Sequence, residues 1–429
     1  GRMRWYRFRA MWQRTVALLC MIIAIHSVTG ATDTATRIFD PAFRTLRIES
    51  SMGFMQAPVI RLNSGDKIIV SFDEIGDDFS QLQYSLLHCN ADWQPSRLLE
   101  SEYLDGFNVA DVDDYAFSTN TFIHFVNYRI EVPNEYMQPL VSGNYLLRVY
   151  DRDEPENTLL QARFAISEAR TGISGEASGR TDRGHNTEWQ QLEFLVNTAE
   201  INVGNPFQDL IVTVTQNNTP STTRTITHPL RVEGSNVIFA HSPELIFDSG
   251  NEFRRFETIR TNYPGMHVDS MRYGGSNYHA YLMHDIPRVW RDYKYDETQH
   301  GRFKIREYNS TDSDLGADYV TVHFTLETPE MPGARVYVDG DMTHHLTDDA
   351  YRMEYDRAAG AYTLQLPLKQ GSYNYRYTVI PPGGKEAVPA PIEGNHFETL
   401  NEYLIKVYYR PPGARADRLI GHAQMMATP

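Results

Sequence analysis

The residues with the most obvious chemical potential are a pair of adjacent histidines, His344 and His345, beside Asp341, Asp348 and Asp349. Imidazoles and carboxylates are the ligands of divalent metals, but a site needs them to converge. Neighbouring side chains on a loop diverge, so this stretch reads as a solvated loop. His279 and His284 are five apart and lack the intervening Glu of a helical zinc motif. They read as ordinary core or surface histidines. Cys89 follows His88, which suggests a thiol activated by an imidazole. Strand neighbours point to opposite faces, however, and a lone cysteine is usually buried, so Cys89 reads as a structural thiol. The acidic run Asp151–Asn157 lacks the Gly and Glu of a hand-type calcium loop and reads as a hairpin turn. Asp111, Asp113 and Asp114 form a similar acidic stretch. There is no nucleophile elbow, phosphate loop or dinucleotide fingerprint. The sequence therefore assigns no catalytic, cofactor-binding or metal-binding residue, and non-catalytic binding is the expected mode of action.

Aromatic side chains are the remaining unusual feature, with 26 Tyr, 20 Phe and 5 Trp. Most are expected to fill cores. Residues 90–117 differ, because they combine aromatics with aspartates and alternate only weakly. Rigid amphipathic rings suit interfaces, and long structured loops often carry function. Asp92, Trp93, Tyr103, Asp105, Phe107 and Tyr115 are the candidate partner interface.

Strands must position these residues. Ile68, Val70 and Phe72 share a face, as do Leu82, Tyr84, Leu86 and His88. The pattern recurs at Val320, Val322, Phe324 and Leu326, at Tyr362, Leu364, Leu366 and Leu368, and at Tyr403, Ile405, Val407 and Tyr409. Period-two alternation means strands with one buried face, and Gly- and Pro-rich turns separate them. The predicted fold is all-β, with three tandem β-sandwiches of immunoglobulin-like or early-set-like kind. Polar stretches at 167–187 and 309–317 suggest boundaries. The predicted ranges are an N-terminal sandwich at 35–168, a middle β domain at 188–309, an early-set-like sandwich at 318–412 and a loose tail at 413–429. Outward positions carry Thr, His, Gln, Arg and Lys, which argues against a membrane barrel.

The N-terminus reads as an export signal. Arg2, Arg4, Arg7, Arg9 and Arg14 precede the apolar run Val16–Ile25, and small residues follow. The run is shorter than the roughly 20 residues that span a bilayer. Cleavage is expected after Gly30 or Ala31, giving a signal peptide of residues 1–31. Its removal leaves 35 basic against 55 acidic residues, a net charge of −20. Such a chain repels nucleic acid and anionic headgroups. Export with only Cys89 remaining fits a bacterial periplasm.

Several runs together resemble the plug protein family of the type IX secretion system. They are Tyr84–Trp93, Glu102–Phe107, Ser142–Tyr150, Gly250–Arg254, Leu368–Tyr375, Val407–Arg410 and Leu419–Gly421. The resemblance implies a periplasmic protein at the inner face of the outer membrane. It implies closure of the periplasmic mouth of a very large outer-membrane translocon barrel between transport events. The implied partners are that barrel protein and its accessory subunits, with no nucleic acid, no membrane span and no cofactor. The runs Val336–Met342, Tyr362–Leu364 and Gly371–Tyr377 also resemble early-set sandwiches attached to glycan-processing enzymes. Glycan binders of that kind place a Trp after the Gly-Asp turn. His344 and His345 occupy that region here, and no Trp follows Trp290. A periplasmic or surface glycan-binding protein is the alternative reading.

Overall fold

A computed structural model describes residues 31–428. The expected signal cleavage site begins the described stretch, and the basic and apolar segments before it lie outside. From Ala35 onward the chain forms one contact unit. Its secondary structure is strand with a few single helical turns, as the alternation predicts.

The first two sheets share one core. Strands β1 (Phe43–Ser50), β2 (Ile68–Ile75), β3 (Leu82–Cys89), β4 (Ala110–Asp111), β5 (Asp114–Phe117), β6 (Phe125–Val132), β7 (Gly143–Asp151) and β8 (Thr158–Ser167) build them. One sheet runs β1-β2-β6-β5, and the other contains β8-β7-β3-β4. Ile68, Val70 and Phe72 are fully enclosed between them.

A second core lies between β9 (Gly172–Ser178), β10 (Trp189–Asn197) and β12 (Asn236–Phe239) on one side and β11 (Leu210–Gln216) on the other. The third core follows. One sheet holds β13 (Arg254–Glu257), β16 (Phe303–Ile305), β18 (Arg335–Asp339) and β20 (Gly371–Ile380). Its partner runs β14 (Val268–Tyr273), β15 (Tyr278–Leu282), β17 (Tyr319–Glu327), β19 (Ala361–Lys369). The chain then returns to the second core through β21 (Glu402–Tyr409) and β22 (Arg418–Met426).

That return departs from the predicted ranges. Tyr403, Ile405 and Val407 are buried with Leu192 and Val212, not with Val320 and Phe324. Strand β21 pairs with β11 from Leu210↔Tyr409 to Gln216↔Tyr403. Alternation reports that a face is buried but not which sheet buries it. Strands β13 to β16, within the predicted range 188–309, likewise belong to the third core. The expected loose tail contains β22, where Leu419 and Ile420 are fully enclosed. The stretch 167–187 supplies β9, paired along its length with β10.

Polar and charged joints tie the cores together. Lys369 Nζ lies 2.8 Å from Asp73 Oδ2, and the Tyr319 hydroxyl donates to the same oxygen at 2.7 Å. Asp318 accepts the Phe122 and Ile123 amides across the same joint. The stretch 309–317 is polar because it sits here: Asp312 caps a helical turn, and Asp314 meets Arg47 at 3.0 Å. Between the first and second cores, Tyr408 donates to Asn144 Oδ1 at 2.6 Å and Arg418 pairs with Glu168 at 2.7 Å. A small apolar cluster of Ala57, Val59, Ala165, Tyr408 and Leu419 seals that joint. Arg302 and Glu402, 2.8 Å apart and both buried, link the second and third.

Candidate interaction surface

The segment from Asn90 to Phe117 leaves β3, wraps one end of the first sandwich and returns as the edge of both sheets. Asp92 is exposed, and its Oδ1 accepts the Gln94 amide at 2.9 Å. This turn holds Trp93 at φ 62°, a left-handed conformation for a non-glycine residue. The half-buried indole lies under the Arg163 guanidinium at 4.5 Å and the Lys406 ammonium at 5.0 Å. Trp93 thus belongs to the joint between the first and second cores. Two cations from other strands cover the ring, so within the chain Trp93 has a packing role at this joint.

Tyr103 is enclosed. It ends a single helical turn, Glu100–Tyr103, and is 3% exposed. Its hydroxyl donates to the Leu86 carbonyl at 3.2 Å, and its ring meets Tyr145 edge-on. Tyr103 is therefore a core residue with a satisfied polar end. Asp105 is exposed on a two-residue strand paired with Gln138–Pro139. Phe107 is 90% exposed, following Gly106 at φ 93°. Tyr115 lies on β5 and stacks on Phe79, with ring centroids 4.6 Å apart. Phe117 meets Tyr115 edge-on.

Of the six residues, the structure brings Tyr115 into an exposed aromatic patch with Phe79 and Phe117, and leaves Phe107 projecting separately. Asp77, Asp78, Asp111, Asp113 and Asp114 are exposed along the same loops and edges. Sequence reading missed Phe79. The signal was the run Asp77-Asp78-Phe79, an aromatic in an acidic turn where no core position is expected.

The other candidate groups are structural. Cys89 is buried, and desolvation pushes its thiol up to about 12. His88 bonds Ser96 Oγ and the Ser142 carbonyl, at 2.8 and 2.9 Å. His345 corrects the solvated-loop expectation. Its side chain is 4% exposed, between Asp339 at 3.0 Å and Asp341 at 2.7 Å. Burial opposes its charge, but the two carboxylates prevail and raise it to about 9. His344 is lowered to about 4 by burial. The residues after the Gly-Asp turn thus close an internal ion network with Arg376, which is 2.8 Å from Asp339. Among the described residues, no group of three or more His, Cys, Asp or Glu is placed to hold a metal. None of their helices is long and apolar enough to cross a membrane.

Residues 43–168, the first sandwich with the aromatic patch, match the family described as Type 9 secretion system plug protein 1st domain. The whole fold is similar to a crystal structure of a hypothetical protein from Parabacteroides merdae. That structure shows 37% identity and a TM-score of 0.90, over 92% of this chain and 100% of that one. An alkylpurine DNA glycosylase from Pseudomonas fluorescens has 12% identity and a TM-score of 0.17, over 29% of this chain and 30% of that one. That score carries no likeness of fold. No curated protein matches. The matched domain defines a component of a protein secretion system. The chain belongs to the plug protein family of the type IX secretion system.

Proposed function

We propose that this chain is the periplasmic plug subunit that closes the periplasmic end of the large outer-membrane translocon barrel of the type IX system. In this reading it sits at the inner face of the outer membrane, bound to the barrel protein and its accessory subunits. The family match supports the secretion role. The observation that carries the gating reading is mechanical. Buried pairs at Asp73–Lys369 and Arg302–Glu402 brace three cores against one another. A body braced this way occludes by shape and needs no reacting group. Release follows when cargo engagement favours the unplugged state of the barrel.

Two measurements test this. Affinity purification of the tagged chain from detergent-solubilised envelopes is expected to recover a giant β-barrel protein, and its absence counts against the reading. Deletion of the chain, with the translocon still assembled, is expected to admit small solutes that the envelope normally excludes. Unchanged permeability would sink the gating step.

A further inference from the structure

Strand β5 ends its sheet and pairs with β6 alone. Its outward hydrogen-bonding groups follow from the neighbouring register. Ser118 donates to the Phe125 carbonyl, and Gly76 donates to that of His124, both at 2.9 Å. In an antiparallel ladder each residue turns its N–H and C=O to one side only, and the side alternates. Asn127 and Arg129 of β6 therefore face β5, where Ala116 and Asp114 stand opposite. Tyr115 and Phe117 turn their N–H and C=O away from the sheet. Among the described residues, no other backbone group bonds them.

Natural edges are usually blunted by Lys, Pro, bulges or a covering element. Here Asp114–Phe117 contains no Lys or Pro, and its register with β6 is unbroken. Tyr115 and Phe117 are 36% and 48% exposed and stand on one face with Phe79, which is 44% exposed. Asp114 stands on the opposite face, and Asp111 and Asp113 precede it. Such an edge offers backbone pairing, an aromatic face and a negative field together.

We infer that β5 is a docking edge for an extended protein segment that alternates apolar and basic residues. The segment adds as a further strand, as in other β-augmentation complexes. Its N–H and C=O groups meet those of Tyr115 and Phe117. Its apolar side chains lie on the Phe79–Tyr115–Phe117 face, and its Lys or Arg side chains on the other face meet Asp114. The strand is short, so the rings and charges supply most of the selectivity. The edge stands on its own geometry and does not rest on the function proposed above.

The test uses the full chain and short fluorescent peptides of alternating Val and Lys, followed by anisotropy. Two control peptides replace Lys with Glu or N-methylate the backbone. The Val-Lys peptide is expected to bind, more weakly as salt rises, and neither control is expected to bind. Phe117→Pro removes an outward N–H that serves no ladder bond, a position where edge strands tolerate proline. It is expected to lose at least about tenfold in affinity with an unchanged melting temperature. Asp113→Asn with Asp114→Asn is expected to flatten the salt dependence. No binding by the Val-Lys peptide overturns the inference, as does equal binding by either control. Should Phe117→Pro unfold, the N-methylated peptide tests the same backbone contact from the other side. Self-association through β5 in sedimentation would assign the edge to a second copy and overturn it too. A negative peptide result beside successful recovery of the barrel protein rejects the edge alone.

Discussion

Lys369 Nζ and Asp73 Oδ2 lie 2.8 Å apart in a joint where both side chains are almost wholly enclosed. One comes from β19 of the third core and the other from β2 of the first. Tyr319 donates to the same carboxylate, and Phe125 places its ring 4.1 Å from the ammonium. Desolvation lowers the lysine from its usual range, and Asp73 acts against that shift.

Removing one partner of this pair leaves an uncompensated charge. Lys369→Met or Asp73→Asn is expected to cost about 3–5 kcal/mol, whereas the double substitution recovers much of the loss. Denaturant unfolding of the double-mutant cycle reads this directly. Additive losses would show that the two groups do not act as a pair.

His345 makes stability depend on alkaline pH. Its folded value, about 9, exceeds the unfolded one, so its contribution is complete below about pH 6.5 and is lost as pH rises through 9. Wild type is expected to lose about 2–3 kcal/mol relative to His345→Gln between pH 7 and 10. Lys406 runs the other way. Burial, aided by Arg163, lowers it to about 7, so its neutral form favours folding as pH rises from 7 towards 10. Lys406→Met is expected to raise the melting temperature at pH 7, and this advantage should shrink with pH. Chemical unfolding of the two variants against wild type separates the opposing slopes.

Gly143 adopts φ 139°, and an added Cβ would overlap Nε2 of His88. That nitrogen is held by the Ser142 carbonyl, so the ring cannot simply swing away. Gly143→Ala is expected to destabilise by about 1–3 kcal/mol. Gly143→Ala combined with His88→Ala should relieve the steric part. An unchanged melting temperature for the single variant would refute the crowding.

Trp93 and Phe107 are predicted to separate stability from contact. Trp93→Ala removes a half-buried ring from a joint and is expected to cost about 1–3 kcal/mol, less than a fully buried Trp. Phe107→Ser is expected to stay within about 0.5 kcal/mol of wild type. Thermal melts distinguish the two variants. Recovery of the barrel protein by Phe107→Ser then shows whether the projecting ring is a contact.

Strand faces were legible from alternation because a one-residue slip would expose the whole apolar set. Val320, Val322, Phe324 and Leu326 are all enclosed, as their spacing predicts. Their order of assembly was not legible. Tyr403 and Tyr362 have equivalent local patterns, yet they bury in different cores. The irregular course of the 90–117 segment was legible, but which of its side chains are exposed was not. Tyr103 and Phe107 are four apart, but one folds back on β3 while the other turns outward after Gly106. Burial of His345 depends on Arg376 and Asp339, which come from two different strands. Lys406 occupies an outward position of β21 whose outside is another sandwich.

The closure of the second core by β21 and β22 sets an order of completion for a chain that emerges N-terminus first. Such a chain holds all the strands of the first sandwich within residues 37–168. Strand β11 must wait until Glu402–Tyr409 arrives, with the entire third core between them. A product truncated before β21 therefore presents an open apolar sheet containing Val212 and Val214. The last strands act as a completion mark: the full-length chain hides that sheet, and a truncated one leaves it open to solvent.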